Sequence, residues 1–389
     1  MKTKLLFLSA FLPSPHAVQA GQKIAFHHLE CLAEKYDIWF VGFRNEVDRP
    51  DDAERLQRLC RECLIYPMDW VRRVSGALLR PSLPVLISSR WRPGVANDIA
   101  LLVRTIPFER VHCEWSQMAE YLPLTQSVPE RFLVIHDVVT QFCDSAAAST
   151  SGLRKHFWSW ERSRALRWER SRYRAATALV TLSRKDEILL RATLPELGPR
   201  LRSILPFFNR YSGRVRSNRT ARFVILFWGS LSRIENVEAA LWLARSLMPA
   251  LRHRCPDLKL ILAGANPPTR LQECACSDIV VTGFLSAPQK VFDEATVAVL
   301  PLFRGAGVKI KVLECLAAGL PVLTTSIGAE GIVAIEADGL TVLEANPEAY
   351  AAKLADWWRT ASRIEELSGS ALQWSRNLPP LNSSILLSA

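Results

Sequence analysis

Five residues within one short stretch have the types and spacing to hold a phosphorylated ligand. In RGAGVKIKVLECLAAGLPVLTT (Arg304–Thr325), Gly305 and Gly307 lie two apart, Lys309 and Lys311 follow, and Glu314 stands three residues after Lys311. The stretch follows the apolar run TVAVLPLF. A strand, a glycine loop and a helix in that order form an anion site, because ligands of open α/β sheets collect outside the carboxyl ends of strands. The glycines permit unusual dihedrals and close backbone approach, and the helix start offers free N–H groups and the positive end of its dipole. Lys311 and Glu314 share a helix face, while Val312, Leu313, Leu316 and Ala317 cover the core side. Gly319 stops the helix and Pro321 opens the next strand. The lysines suit a phosphate, and Glu314 suits neutral hydroxyls such as those of a ribose. The competing reading is a solvated Lys–Glu pair on a surface helix. The position after a strand, with the flanking glycines, favours a binding site.

The elements that must position these residues are legible around them. The chain has 389 residues, with 49% hydrophobic and 22% charged, which suits about two globular domains. Apolar runs alternate with longer helical patterns. Strands are expected at LLFLS, DIWFVGF, RVHCE, FLVIHD, ALVTLS and RSILP, then at FVILFWG, LKLILAG, DIVVTG, VAVLPLF and PVLTT; helices are expected at NVEAALWLARSLMPALRHR and VKIKVLECLAAG. Such alternation argues for parallel sheets covered on both faces, hence two doubly wound α/β domains. The boundaries expected are a first domain over 1–208, a polar, basic linker over 209–221, a second domain over 222–375 and a tail over 376–389. The start, MKTKLLFLSAFLPSPHAVQAG, imitates a secretion signal, but its apolar stretch is short and broken by prolines, so a first buried strand is the favoured reading. No window approaches the ~20 apolar residues of a membrane span. Nine cysteines, odd in number and irregularly spaced, suit a reducing compartment and thiols rather than a metal site.

The glycine-loop stretch, extended to GAGVKIKVLECLAAGLPVLTTSIGAEGI, resembles the nucleotide-sugar signature of glycosyltransferase family 4, the retaining group 1 glycosyl transferases. The likeness runs through FWGSLSRIENVEAALWL, LKLILAGA, VVTGFLS and VAVLPL. In the first half FLPSPHAVQAG is similar to the family's first glycine loop, VIHDVV to its strand ending in His, and ALVTLSRKDE to its Ser-and-Asp segment. The resemblance implies the GT-B fold, two Rossmann-like domains facing a cleft, the first taking the acceptor and the second the nucleotide sugar. It implies metal-independent transfer of a sugar, with retained anomeric configuration, from a nucleotide-diphosphate sugar to a hydroxyl of a saccharide or lipid-linked saccharide. That reaction serves bacterial-type polysaccharide, lipopolysaccharide or glycolipid assembly. No cofactor is implied, and no metal ligand set.

Residue by residue, Glu314 matches the family glutamate that binds the ribose. The glutamate eight positions earlier is replaced by Ala306, so the sugar falls to backbone groups of Ala306–Val308 or to other residues. Lys311 and Lys309 would neutralise the diphosphate, with Arg233 and Gly229 in the loop after FVILFWG. Gly21 would admit the diphosphate from the first domain, and His136 would touch the donor sugar. His112 and Glu114, ending RVHCE, are acceptor contacts in this scheme, and Glu330 a sugar or loop contact. Two other functions share the architecture: a nucleotide-sugar epimerase, and a non-catalytic relative that binds membrane or polyanion.

Charge is uneven. Residues 1–209 carry 30 Lys and Arg against 22 Asp and Glu, and residues 210–389 carry 19 against 16, so the first half attracts acidic partners more strongly. Within it, Leu153–Arg174 holds eight Lys or Arg, two Glu and three Trp. Such a segment fits contact with an anionic membrane from the cytoplasmic side, or a helix with tryptophans in the core and arginines in water. No nucleic-acid module is recognisable, and no nucleic-acid partner is expected.

Overall fold

The computed structural model describes residues 2–17, 19–206, 211, 213–217, 222–255, 257–305 and 307–378. The chain divides into two compact units, the first running to Pro206 and the second from Phe207 to Pro380.

The first unit is built on β1 (Thr3–Ser9), β2 (Tyr36–Asn45), β3 (Glu62–Met68), β4 (Arg110–Glu114), β5 (Glu130–Ile135), β6 (Ala178–Thr181) and β7 (Leu201–Ser203), in the order β3-β2-β1-β4-β5-β6-β7. The second is built on β8 (Val224–Trp228), β9 (Lys259–Ala263), β10 (Ile279–Val281), β11 (Val297–Leu300), β12 (Val322–Thr324) and β13 (Leu340–Val342), in the order β10-β9-β8-β11-β12-β13. Every described pairing is parallel. In each sheet the order reverses beside the first strand, between β1 and β4 and between β8 and β11. Those two switch points are where such sheets bind ligands. The helices used below are α1 (Ala20–Lys35), α2 (Trp70–Leu79), α3 (Gly152–Tyr173), α4 (Ile234–Trp242), α5 (Ile310–Ala317) and α6 (Ala361–Asn377).

Burial explains the strand pattern. Leu5 and Phe7 of β1 join Phe26, Leu29 and Phe40 on one face of the sheet, while Leu6 and Leu8 join Val41, Val111 and Leu133 on the other. A strand covered on both faces reads as an unbroken apolar run, and the opening KLLFLS is such an inner strand, between β2 and β4.

Three features go beyond the sequence-based expectations. Two strands, β3 and β13, are absent from the sequence reading, and both are edge strands. β3 (ECLIYPM) is mostly half-exposed and contains Pro67, whose missing N–H is tolerated at an edge. The expected linker is partly built into the second unit: Arg216 is buried, its backbone N–H donates to Ser368 Oγ at 2.7 Å and its Nη2 to the Ala318 carbonyl at 2.6 Å. Basic composition hid this, because both terminal guanidinium nitrogens donate to backbone carbonyls, those of Asp293 and Ala318. The last helix, α6, runs to Asn377, past the expected domain end at 375; positions 379–389 of the expected tail lie outside the described residues.

The basic aromatic segment forms α3. Trp168 is buried and Trp158 packs against the core, while Trp160 is 55% exposed. The core reading therefore holds for two of its three tryptophans. Buried Glu169 accepts from the Val139 N–H at 2.7 Å and from Thr140 Oγ1 at 3.0 Å. Burial raises its carboxyl to about 7 against the pull of those bonds.

Candidate functional site

The first cluster lies at the switch point of the second sheet. Lys311 stands in the first turn of α5, and its ammonium donates to Asn236 Oδ1. Asn236, buried on α4, donates through Nδ2 to the Ser230 carbonyl at 2.7 Å; that bond assigns the amide orientation, with its oxygen facing the lysine. A Cβ built on Gly229 would lie 3.2 Å from Lys311 Nζ and 3.1 Å from Asn236 Nδ2, so the ammonium rests against the backbone at the end of β8. Burial, with Arg233 and Lys309 acting in the same direction and Glu235 against it, lowers Lys311 to about 7. An anionic ligand there would favour the charged form again.

Glu314, on the same helix, is 6% exposed and accepts from the Trp228 indole N–H at 2.7 Å. Its other oxygen has no partner among the described residues. Arg233 immediately precedes α4, half exposed and paired with Glu235 at 2.5 Å. Gly305 and Gly307 have φ of +123° and +76°, conformations that L side chains rarely adopt. Lys309 bonds to the Gly307 carbonyl and lies 3.3 Å from Glu330. It braces the loop, and Glu330 is a loop contact. Val308 is half-buried beside them. Arg304 pairs with Glu238, and Ala306 lies outside the described residues. The structure thus gathers Gly229, Lys311 and Glu314 around Asn236 and Trp228, with Arg233 at the rim. Trp228 escapes sequence reasoning because it ends an apolar run; an indole just before the loop glycine is the signal that could have found it.

The second cluster lies at the switch point of the first sheet. Glu114, the last residue of β4, bonds through Oε1 to His28 Nδ1 at 2.6 Å and His112 Nε2 at 2.7 Å, and through Oε2 to His136 Nε2 at 2.5 Å. All four side chains are buried, His136 retaining 4% exposure. Burial opposes ionisation of Glu114, but His28, followed by His112 and His136, holds its carboxyl well below the usual range. Burial pushes His112 down to about 4. The N–O spacings are those of hydrogen bonds; ligands on one tetrahedral zinc would stand roughly 3.3 Å apart. Trp115 adopts φ +70°, rare for a bulky residue, and its ring stacks on His136 at 4.1 Å. A Cβ on Gly21, in the first turn of α1, would meet His136 Nδ1 and the Trp115 ring at 3.0 Å. His112 and Glu114, expected as acceptor contacts, are wholly enclosed and bond to each other. His28 was not foreseen. It lies 86 residues before Glu114, and its only sequence signal is a histidine pair inside an apolar helix.

Comparison with known proteins agrees with this fold. Residues 222–360 match the glycosyl transferases group 1 family. An uncharacterized 44.6 kDa protein in the cps region of Klebsiella pneumoniae is 22% identical over 385 residues, covering 95% of each chain. Among solved structures, sucrose-phosphate synthase from Thermosynechococcus elongatus has a TM-score of 0.65 at 13% identity, over 97% of this chain and 95% of that one. WaaG, a glycosyltransferase involved in lipopolysaccharide biosynthesis, has 0.61 at 15%, over 96% and 95%. HepE of Anabaena in complex with UDP-glucose has 0.60 at 11%, over 97% and 95%. The chain has the GT-B fold of these glycosyltransferases, and its residues 222–360 are similar to the glycosyl transferases group 1.

Proposed function

We propose that the protein moves a sugar from a nucleotide-diphosphate sugar to a hydroxyl of a saccharide or lipid-linked saccharide, with retention at the anomeric carbon, in polysaccharide, lipopolysaccharide or glycolipid assembly. One observation carries the reading: the Lys311 ammonium, held by Asn236 against the strand-end backbone, stands three residues from the half-satisfied carboxylate of Glu314. The cation meets the leaving diphosphate and the carboxylate meets ribose hydroxyls. Negative charge develops on the diphosphate as the sugar leaves, and a fixed ammonium in a partly dry site stabilises it without a metal. The acceptor hydroxyl attacks from the face the diphosphate vacates and gives its proton to the departing diphosphate oxygen, so no protein nucleophile is required and no cofactor takes part.

The test is a donor screen by calorimetry across UDP-, GDP- and ADP-sugars, followed by transfer to membrane extract read by mass spectrometry. A UDP-sugar is the first choice, since HepE was solved with UDP-glucose. Glu314→Ala is expected to weaken donor binding by roughly tenfold or more, the scale of a lost charged hydrogen bond. Unchanged affinity in that variant would sink the assignment, and no binding to any nucleotide sugar would make the site a relic. Isomerised donor without transfer would favour an epimerase.

Contact with an anionic bilayer at the cytoplasmic face is part of the proposal. Among the described residues no helix is long and apolar enough to cross a membrane. On α2, however, Trp70, Val71, Val74, Leu78 and Leu79 are 74%, 64%, 42%, 75% and 59% exposed. On α3, Leu153 and Trp160 are exposed beside exposed Arg154 and Lys155. Apolar side chains flanked by cations suit a headgroup interface. Vesicles containing phosphatidylglycerol should co-sediment the protein, pure phosphatidylcholine vesicles far less, and Trp70→Ser with Leu78→Ser should lower binding roughly tenfold. Equal binding of the double variant would remove α2 from the contact.

A further inference from the structure

We infer that Glu114 is a positioning residue that fixes which nitrogen of His136 meets the ligand, and that the atom presented is Nδ1, an acceptor for a hydroxyl. The inference deepens the glycosyl-transfer reading and rests on it for the ligand's identity, but not for the geometry. A carboxylate only accepts hydrogen bonds, so the nitrogens facing it carry the protons. His28 Nδ1 and His112 Nε2 both face Glu114 Oε1, at 2.6 and 2.7 Å. Their opposite nitrogens, His28 Nε2 and His112 Nδ1, are buried without a partner. A second proton on either ring would create a buried N–H with no acceptor, which is strongly disfavoured. Each ring therefore commits a proton to Glu114 from the nitrogen that faces it.

That leaves Oε2 for His136, whose Nε2 lies 2.5 Å away. The His136 proton therefore sits on Nε2. Stacking on Trp115 and the close Gly21 backbone hold the ring in place. Nδ1 has no partner among the described residues and faces the first turn of α1. In the neutral ring it is a lone-pair acceptor, so it selects a group with a proton to give, a sugar or acceptor hydroxyl, and not an ionised phosphoryl oxygen. The arrangement has the logic of a ligand-holding histidine whose far nitrogen is fixed by a carboxylate. Here two buried histidines support the carboxylate in turn.

The test uses the full chain labelled with 15N-histidine, with His136→Gln for assignment. Neutral His136 should carry its proton on Nε2, and that proton should exchange with water far more slowly than in free imidazole. Glu114→Gln keeps an oxygen toward His28 and His112 and turns an NH2 toward His136, so the ring should switch to the Nδ1–H form. In that variant kcat should fall roughly tenfold or more while the donor KM changes much less, and Glu114→Asp should restore part of the loss. A wild-type Nδ1–H form, a freely exchanging Nε2 proton, or an unchanged tautomer in Glu114→Gln overturns the inference. If Glu114→Gln does not fold, the wild-type proton decides alone. The tautomer is read without donor or acceptor. The expected tautomer in a protein that transfers no sugar would count against the glycosyl-transfer reading and leave the positioning role standing.

Discussion

Replacing Lys311 by alanine is expected to lower kcat/KM for the nucleotide-diphosphate sugar by roughly 10²- to 10³-fold, the scale of losing one preorganised donor to a developing anion. The ammonium is placed by three separate features: the first turn of α5, the Asn236 amide, and the backbone at Gly229. Asn236 is itself fixed through Ser230, so the cation does not have to be reorganised when the diphosphate leaves. Arg233 is too exposed, and too engaged with Glu235, to replace it. Near wild-type kinetics in this variant would refute the site.

The same residue should leave a pH signature. Burial, then Arg233 and Lys309, lowers Lys311 to about 7 in the free protein, and the charged form binds the diphosphate. As pH rises through about 7 the charged fraction falls, so the apparent donor Kd should rise, approaching tenfold per pH unit. Lys311→Ala should flatten this dependence. Stability should move the other way. The lysine of the unfolded chain titrates near 10.4, so the folded state disfavours the ammonium; the cost is full below about 7 and fades as pH rises from about 7 towards 10.4. Lys311→Met is therefore expected to raise Tm at pH near 7, an advantage that shrinks at high pH. A residue kept for stability would show the opposite sign in a thermal melt.

The opening stretch disclosed the diphosphate end of the site because one short segment holds its glycines, cation and carboxylate. Central strands were equally plain, since burial on both faces makes them apolar runs. The edge strands β3 and β13 were not, because an edge needs neither full burial nor freedom from proline. Partners contributed by distant segments were hidden too. Trp228 reaches Glu314 across 86 positions and His28 reaches Glu114 across the same separation. No periodicity or spacing rule spans that distance; the sheet order creates the contacts. Arg216 deceived for a different reason, since its charge suggested solvent while backbone carbonyls were its partners.

Gly264→Ala is expected to disable both the second unit and its site. A Cβ at Gly264 would lie 1.8 Å from the Gly229 carbonyl oxygen and 2.8 Å from its carbon. The obstruction is backbone, so no side-chain rotation relieves it. The segments after β8 and β9 are also stitched together, Gly229 N–H to the Ala263 carbonyl at 3.1 Å and Leu231 N–H to the Ala265 carbonyl at 2.9 Å. Separating them breaks those bonds and moves Gly229 away from Lys311. The loss should be about 3 kcal/mol, at the upper end for overpacking, or roughly 6–12 °C in Tm for a unit of this size. Donor affinity should fall even below the melting transition, because the displaced loop carries the backbone on which the ammonium rests. The control is the same substitution at Gly369 within α6, where an added Cβ meets nothing within 4 Å. There, reduced unfolded-state entropy and better helix propensity should stabilise by about 0.4–1 kcal/mol with donor binding unchanged. If Gly264→Ala melted and bound donor like Gly369→Ala, the close crossing of the two loops would not be what holds Lys311 in place.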